Sequence, residues 1–519
     1  MKIKDILAIF VLFLISFSVW TIPIQEQSFP FGEGDAAHQF GIADAISHFD
    51  RVTFEHEFHI AAWYPFFAGG FFARTNAPYF MINSAIMQIT GGERFIPIHL
   101  YYAVICNFFV VLGIYLIMRK SYGFNHAIVS GFFLIFPLRN ALSYLWGQRT
   151  HLIALAYVPV VLYAYLRYLD SCNKGKEKPT YLYISAVLAA ASGFFHPAGL
   201  SIMFFSLTIF TTIIWIRERK FPINIKNLVI ALVLFGILFG PFVPGYISSK
   251  IKSADNISFE LTGIGSLFSW TGPGASNQAI QGFSDMHGGY WIVPFMVIGI
   301  SFILLRRKMH DYLMLSWLAG LYLALHLGVI GINFVGVDRV LKGSSHIFYP
   351  LAVIGIFGIV SFIKIKKRYL NAAVSLVLIF TIITINAVPV ADTFKGAYPP
   401  ILRITPYQYE ASQWIDKNLD EYSIIYSIGS ITYPKMRWMH VLSHRATMTG
   451  ISSTFEEASE TVSSFPMQDK ITHIMVDYSD LYLLGQQDKI DALKSFENAY
   501  ANQSRIVYDK NNIKVYELE

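Results

Sequence analysis

The strongest constraint on the fold of this chain is a series of long apolar segments, each close to the length that crosses a lipid bilayer. A helix needs about 20 residues to span about 30 Å of hydrocarbon, and a spanning backbone must satisfy its own hydrogen bonds. The predicted fold class is therefore a polytopic α-helical membrane protein. The sequence predicts about eleven transmembrane helices, at 5–24, 95–118, 122–143, 151–169, 181–195, 198–216, 227–246, 289–305, 311–333, 347–363 and 369–390.

Composition and charge agree with a membrane protein. Charged residues are 14% of the 519-residue chain, whereas soluble proteins carry about 25%. The formal net charge of +6 comes largely from short Lys and Arg clusters between apolar segments, which is typical of membrane topology and does not indicate a nucleic-acid partner. Cys106 and Cys172 lie in or beside predicted spans, so the sequence predicts no disulfide framework.

The basic clusters predict the orientation of the chain. If Lys2 and Lys4 begin in the cytoplasm, every short inner loop obeys the positive-inside rule. Residues 1–24 lack a small-residue cleavage site, so we expect a retained anchor. We expect an integral protein of the plasma membrane, or of the endoplasmic reticulum in a eukaryote. The predicted cytoplasmic clusters are 119–120, 174–178, 217–220, 306–308 and 364–368.

The same topology places the remaining polar segments outside the cytoplasm. These segments are 25–94, 144–150, 247–288, 334–346 and the residues after about 391. The uncertain region is 181–216, where Pro197 either separates two spans or kinks one, since proline removes a backbone donor. A single kinked helix there would invert every later assignment.

The composition changes to that of a soluble domain after residues 397–400. Residues 407–418 read as an amphipathic helix, and residues 486–499 also have a helical pattern. Short β-rich runs occur at 423–427, 471–476, 506–508 and 513–516. The sequence therefore predicts a transmembrane domain over 1–391 and an extracytoplasmic α/β or α+β domain over 392–519.

The first external loop begins with an unusually polar stretch that contains Glu33, Asp35 and His38. The apolar residues Phe40, Ala43, Ile46 and Phe49 recur there at three-residue spacing. This pattern predicts a short amphipathic helix over 35–49 that lies along the membrane surface.

On that helix Asp35 and His38 are one turn apart, as are Asp44 and His48. A carboxylate beside an imidazole can bind a divalent cation, or can deprotonate an acceptor hydroxyl while the imidazole orients it. The simpler alternative for Asp35 is a helix N-cap, where its carboxylate accepts free amide hydrogens and meets the positive end of the helix dipole. For the other acids the simpler alternative is a solvated loop charge.

Two further external segments carry cations at the membrane boundary. Trp146-Gly147-Gln148-Arg149 ends one span and starts the next, and Arg339 and Lys342 lie in a second predicted turn with His346. Arg binds a lipid phosphate through paired hydrogen bonds and Lys through its point charge. Snorkelling or lipid head-group contact is the alternative. His196, before Pro197, either faces a cavity or hydrogen-bonds between helices.

Taken together, these motifs resemble the GT-C superfamily of glycosyltransferases, which use polyprenyl-phosphate-linked sugars. The resemblance covers the whole chain in architecture. It rests on a retained first span, a long external loop, many spans and an external carboxy-terminal domain, with the local motifs Gly34-Asp35-Ala36-Ala37-His38, 63–70, Pro78-Tyr79, Trp146-Gly147-Gln148 and His196-Pro197.

The resemblance implies an activity and a site. An acidic residue early in the first external loop of this family is the catalytic base or a metal ligand, and Asp35 is the matching position, with Glu33 and His38 assisting. The implied reaction moves a sugar from a lipid-linked donor to a glycan, lipid or protein acceptor. Asp35 and His38 would hold any divalent cation, Mg²⁺ or Mn²⁺, and no other cofactor is implied. The residues for the donor phosphate would be Arg149, Arg339 and Lys342.

Some family patterns are missing from the sequence. The carboxy-terminal segment has no Trp-Trp-Asp sequence, which argues against an asparagine-glycosylating catalytic subunit. The first loop has no adjacent Asp-Glu pair of the protein mannosyltransferase kind, because Gly34 separates Glu33 from Asp35. The subfamily stays open. A transporter or flippase of a lipid-linked saccharide, which usually has ionisable residues near mid-span, and a non-catalytic membrane assembly protein are the rival interpretations.

Overall fold

The computed structural model describes most of the chain. The described residues are 2–26, 32, 34–49, 77–90, 95–243, 290–327, 337–363, 367–397, 404–420, 422–429, 433–449, 471–501 and 504–518. The predicted aromatic segment at 63–70 and the loop 247–288 lie outside these ranges.

Helices form nearly all of the described chain before residue 420. A π-helical turn, Val104–Phe108, joins the fifth and sixth helices into one long segment. The first twelve helices are α1 (Ile3–Trp20), α2 (Ile22–Glu26), α3 (Gly34–Phe49), α4 (Ala77–Thr90), α5 (Phe95–Ala103), α6 (Phe109–Ser121), α7 (Phe124–Phe133), α8 (Leu138–Leu145), α9 (Arg149–Asn173), α10 (Thr180–Phe195), α11 (Pro197–Glu218) and α12 (Ile225–Phe239).

The helices continue after the 244–289 gap in the description. They are α13 (Ile292–Arg306), α14 (Met309–Leu325), α15 (Val337–Leu341), α16 (Ser345–Val360), α17 (Lys367–Ile382) and α18 (Val388–Asp392). A 3₁₀ turn, Lys342–Ser344, links α15 to α16. The segment predicted as a turn at 334–346 is therefore helical from Val337 onward, and this part of the prediction is wrong.

Six helical segments in the described chain are long and apolar enough to cross a membrane, and α7 with α8 is a seventh if this pair, bent by 43°, is one span. The bend falls at Pro137, just before α8, where proline interrupts helical hydrogen bonding. A helix lies in each of the eleven predicted spans. The count of eleven crossings is not confirmed, because α10, α12, α13 and α14 are 16, 15, 15 and 17 residues long, shorter than the six spanning segments. The segments still make this an integral membrane protein.

The break at Pro197 divides the predicted 181–216 region into two helices. His196 has an extended backbone, with φ −168° and ψ 142°, and its side chain caps α11 by accepting the Ala198 amide hydrogen at 3.1 Å. Pro197 is the first residue of α11, where a missing N–H removes no helical bond. The two-helix alternative is the one found here.

The basic clusters meet at one end of the helix bundle. Arg119 Nε lies 2.6 Å from the buried Asp5 carboxylate at the start of α1. Lys120 lies 2.7 Å from Asp170 near the end of α9. The clusters at 217–220 and 306–308 also meet, since Arg217 donates to the Arg307 carbonyl at 3.0 Å. This is the grouping that the positive-inside interpretation requires.

A mixed five-stranded sheet follows the helices. Its strands are β1 (Ile424–Gly429), β2 (Ala446–Thr449), β3 (His473–Asp477), β4 (Ser504–Lys510) and β5 (Ile513–Leu518), in the order β2-β1-β3-β5-β4. β1 is parallel to β2 and β3, whereas β5 is antiparallel to β3 and β4. Asn511 and Asn512, at φ 55° and 64°, make the tight β4–β5 turn. The helices here are α19 (Pro406–Asn418), α20 (Tyr433–Ser443), α21 (Ser479–Leu484) and α22 (Gln487–Ala501).

The helix of the first external loop is covered by protein. α3 packs between α4 and α20. Ala36, Ala37, Ile42 and Ala43 are each no more than 1% exposed. The predicted helix therefore exists, and its apolar residues Phe40 and Ile46 are buried against protein, where the prediction had them facing the membrane surface.

Candidate functional site

Three helices begin close together at the end of the bundle opposite the basic clusters. α9 begins at Arg149 after Gln148, α11 begins after His196, and α16 begins directly after the Lys342–Ser344 turn. The first amide groups of a helix lack intrahelical partners and carry partial positive charge. This applies to α9 and α11, because α16 continues the helical run that begins at Val337. The meeting of these two helix starts favours an anion at this place.

Side-chain contacts join these three helix starts. Lys342 Nζ donates a hydrogen bond to Gln148 Oε1. Arg339 Nη1 lies 3.5 Å from His196 Nε2, and the His196 and His151 rings are 4.0 Å apart between centroids. Lys342 is fully buried, whereas Arg339 is exposed. Two of the three predicted phosphate-binding residues thus lie at the same junction.

Arg149 is the third predicted phosphate-binding residue, and aromatic rings surround it. Its guanidinium carbon lies 5.2 Å from the centre of the Tyr144 ring and 5.8 Å from that of Tyr102. Tyr102 stacks on Tyr79 at 5.2 Å and donates to Asn83. Cation–π attraction to these rings stabilises such a cation, and it does so more strongly when the site is desolvated.

The turn before α9 touches the start of α3. Gly147 has φ +81°, and a Cβ added there would lie 2.3 Å from the Ala36 amide nitrogen. Gly32, just before α3, has φ +120°, and a Cβ there would lie 2.6 Å from Ala36 Cβ and 3.9 Å from Arg149 Nη2. Both positions need glycine, for conformation and for space. The two sequence motifs around Asp35 and Gln148 are therefore neighbours.

The predicted catalytic residues lie at this junction in sequence. Asp35 and His38 belong to the first turns of α3, which begins at Gly34. The side chains of Asp35 and His38, and the whole of Glu33, lie outside the described residues. Asp35 belongs to the first turn of α3, so the helix-dipole part of the simpler alternative stays open.

Polar contacts from the carboxy-terminal region reach α3 from its other side. Trp438 Nε1 donates to the Gly32 carbonyl at 2.7 Å, and His444 Nε2 lies 2.6 Å from Asp44 Oδ2. Sequence patterns did not predict the roles of Trp438 and His444, because each contact joins residues at least 400 positions apart. Asp44, expected to pair with His48, contacts His444, and the side chain of His48 lies outside the described residues.

Sequence comparison places the chain in a family. A profile described as "Family of unknown function (DUF6541)" matches residues 77–339, about half of the 519-residue chain. The chain belongs to DUF6541. No curated protein sequence matches this DUF6541 protein.

Solved structures show what fold this DUF6541 protein has. An archaeal oligosaccharyltransferase, AglB from Archaeoglobus fulgidus in complex with an inhibitory peptide and a dolichol-phosphate, is similar with TM-score 0.55 and 12% identity over 100% of this chain and 74% of that chain. ArnT from Cupriavidus metallidurans bound to undecaprenyl phosphate is similar with TM-score 0.56 and 10% identity, over 98% of this chain and 97% of that chain. Both are GT-C glycosyltransferases, so the predicted GT-C fold is confirmed.

Metal binding was also predicted, at Asp35 and His38. No group of three His, Cys, Asp or Glu side chains suited to a metal occurs among the described residues of this DUF6541 protein. The side chains of Asp35 and His38 are not among those described residues. The Archaeoglobus fulgidus oligosaccharyltransferase was also solved in complex with Zn and sulfate, and this structure has TM-score 0.55 and 14% identity over 98% of this chain and 72% of that chain.

Proposed function

We propose that this DUF6541 protein transfers a sugar from a polyprenyl-phosphate-linked donor to a glycan, lipid or protein acceptor on the extracytoplasmic side of the membrane. The observation that carries the proposal is the junction of two helix N-termini, those of α9 and α11, with Lys342 and Arg339, next to the helix that bears Asp35. The fold shared with AglB and ArnT supports it, since those structures contain dolichol-phosphate and undecaprenyl phosphate.

The donor phosphate would bind at this junction. Lys342 and Arg339 supply positive charge and the N-termini of α9 and α11 supply amide dipoles. Because Lys342 is fully buried, salt screens its charge less than a surface charge. Arg149, beside Gly32, would contact the same phosphate from the side of α3. This arrangement stabilises the negative charge that grows on the leaving phosphate.

Asp35 would act on the acceptor. As a base it takes the acceptor proton while the acceptor atom bonds to the anomeric carbon and the bond from that carbon to the phosphate oxygen breaks. Glu33 and His38 assist it, or Asp35 and His38 hold a divalent cation, Mg²⁺ or Mn²⁺, that would neutralise phosphate charge. The contact between Gly147 and Ala36 supports this role because it brings the first turn of α3 to the start of α9.

The orientation belongs to the proposal as well. The amino terminus would be cytoplasmic, and the sheet region with the junction would be extracytoplasmic, in the plasma membrane or the endoplasmic reticulum. The basic clusters support this orientation, because they gather at the end of the bundle where α9 finishes and the junction lies where α9 starts.

Purified protein given radiolabelled polyprenyl-phosphate sugars tests the proposal. We expect Asp35→Asn to lower transfer by roughly 10²–10⁴-fold, while Asp488→Asn, on the distant α22, keeps wild-type transfer. Lys342→Met should raise the KM for the donor. Equal transfer by wild type and Asp35→Asn would reject the catalytic assignment, and loss of activity in chelator with recovery in Mg²⁺ or Mn²⁺ would assign the cation.

A transporter would give a different result in the same preparation. Reconstituted vesicles that move a lipid-linked saccharide across the bilayer, without transferring its sugar to any acceptor, would replace the transferase by a flippase. Neither transfer nor movement would favour the assembly role.

A further inference from the structure

Two polar contacts connect the carboxy-terminal region to the ends of one short stretch, 32–44. At the first, the Trp438 indole donates to the Gly32 carbonyl at 2.7 Å. At the second, His444 lies 2.6 Å from the Asp44 carboxylate. Asp35 lies between these two points. Trp438 also packs on Phe40 of α3, with ring centroids 5.8 Å apart.

Helix α20 carries Trp438 and ends just before His444, and a buried ion pair anchors it to α21 beside the sheet. Lys435 near the start of α20 lies 2.5 Å from Asp480 Oδ1, and the two side chains are 0% and 2% exposed. Gln408 of α19 donates to Asp480 at 3.2 Å and to Asp477, at the end of β3, at 2.7 Å. Removing one member of a buried ion pair is strongly unfavourable. α20 therefore has a fixed position from which to hold α3.

His444 bridges two carboxylates. Its Nδ1 lies 2.9 Å from Asp416 Oδ1 of α19, while Nε2 contacts Asp44. Only the imidazolium form has two N–H donors, so both contacts require a protonated ring. The described charged groups that face this site are Asp44, Asp416 and Arg445, whose Nη1 is 3.8 Å from Asp416. Burial opposes the positive charge, but the hydrogen bonds to Asp416 and Asp44 raise the pKa of His444 to about 9.

The opposite side of the stretch is held by close packing. Gly147 packs closely against Ala36, and Leu145 lies close to Gly32, so this packing opposes movement of the stretch toward the bundle. Movement away from the bundle is opposed by α20. A displacement of about 1 Å in a reacting group can cost roughly 100-fold in rate. A shift of α3 by that distance would therefore be visible in the rate of transfer.

We infer that Trp438 and His444 are positioning residues of this transferase, which hold the Gly32–Asp44 stretch, and with it the first turn of α3, against the start of α9. The effect on transfer rests on the proposed function, but the hold on α3 does not. His444 acts through Asp44, and Trp438 acts through the backbone of Gly32.

Full-length protein in detergent or nanodiscs provides the test. Trp438→Phe keeps the ring and removes the indole donor, and His444→Gln leaves only one side-chain donor group in place of the two-sided imidazolium. The matched controls are Trp414→Phe and His473→Gln. Trp414 packs on Tyr508, and His473 lies on β3 beside Thr472. Hydrogen–deuterium exchange of α3 amides is compared at one pH, together with kcat and donor KM.

We expect Trp438→Phe and His444→Gln to speed α3 exchange roughly tenfold, with smaller change in α16, and to lower kcat with little change in donor KM. The two controls should leave α3 exchange, kcat and donor KM unchanged. Asp44→Asn combined with His444→Gln should exchange no faster than either single variant, because both remove the same contact.

Each other result has a separate meaning. Unchanged α3 exchange in both variants would overturn the inference, whatever the activity. Faster exchange with unchanged kcat would make the contacts structural only and also overturn it. If wild type transfers no sugar but α3 exchange responds as expected, the transferase proposal fails while the hold on α3 stands.

Discussion

α3 is held on two sides by contacts of different kinds. Toward the bundle it is held by backbone packing, since Gly147 leaves no space for a side chain beside Ala36. Toward the sheet it is held by hydrogen bonds from Trp438 and His444. Steric contact does not depend on pH, whereas a contact through imidazolium does. The bundle side therefore sets where α3 can lie, and the sheet side sets how firmly and under which conditions it stays there.

The largest expected effect comes from removing the anchor of α20. Lys435→Met leaves Asp480 buried without this ion partner, which should lower the free energy of unfolding by about 3–5 kcal/mol. Thermal unfolding of the detergent-solubilised protein measures the loss. Lys435→Met with Asp480→Leu should recover much of it, because the buried charge is then gone. No loss in the single variant would show that the anchor does not support the sheet side.

Gly147→Ala should break the contact on the bundle side. The added Cβ would meet the Ala36 backbone at a position with φ +81°, and we expect a cost of about 2–4 kcal/mol from strain and overpacking. Gly175, with φ +66° and open space around it, is the matched control. Gly175→Ala pays only the conformational cost, so the difference in unfolding temperature isolates the collision. Equal losses in the two variants would argue against the close approach to α3.

Trp438→Phe should have an intermediate effect. It leaves the Gly32 carbonyl without the indole donor, which should cost about 1–3 kcal/mol. The packing of the ring on Phe40 is retained. Chemical denaturation beside Trp414→Phe measures the difference, and a cost no greater than that of the control would mean that solvent replaces the indole.

The pH dependence on the sheet side tests the imidazolium contact separately from these losses. The pKa of His444 is raised from 6.5 to about 9 in the folded protein. Its contribution is therefore complete below pH 6.5 and is lost as the pH rises through about 9. The stability difference between wild type and His444→Gln should shrink from pH 7 to pH 10. Burial lowers the pKa of His473, so the difference for His473→Gln should stay flat over this range.

Much of the helical region could be predicted from the sequence, because lipid requires long apolar helices whatever their neighbours are. The segment 334–346 is an instructive failure. It was predicted as a turn between two spans, but a Cβ at Gly343 would lie 3.1 Å from Leu155 and 3.2 Å from Ile202. The small residues there allow helices to approach closely, and α16 begins within the buried junction.

The sheet region was predicted in part. Helix α19 and strands β1, β3, β4 and β5 lie where the alternating and helical patterns indicated. α20 and β2 were missed. α20 is the element that covers α3. Because the sequence patterns did not predict α20, the apolar spacing of 35–49 was interpreted as a face toward lipid. An apolar face predicts burial, but the sequence pattern does not say whether lipid or protein covers it.

The sequence alone determined the membrane class, the GT-C resemblance, and the residue types that a phosphate-dependent transferase would need, because hydropathy and local motifs are read along the chain. The tertiary structure decided which motifs meet. Gln148 reaches Lys342 across 194 positions, and His444 reaches Asp44 across 400. Such contacts depend on how helices pack, and packing is a property of surfaces brought together by the whole fold.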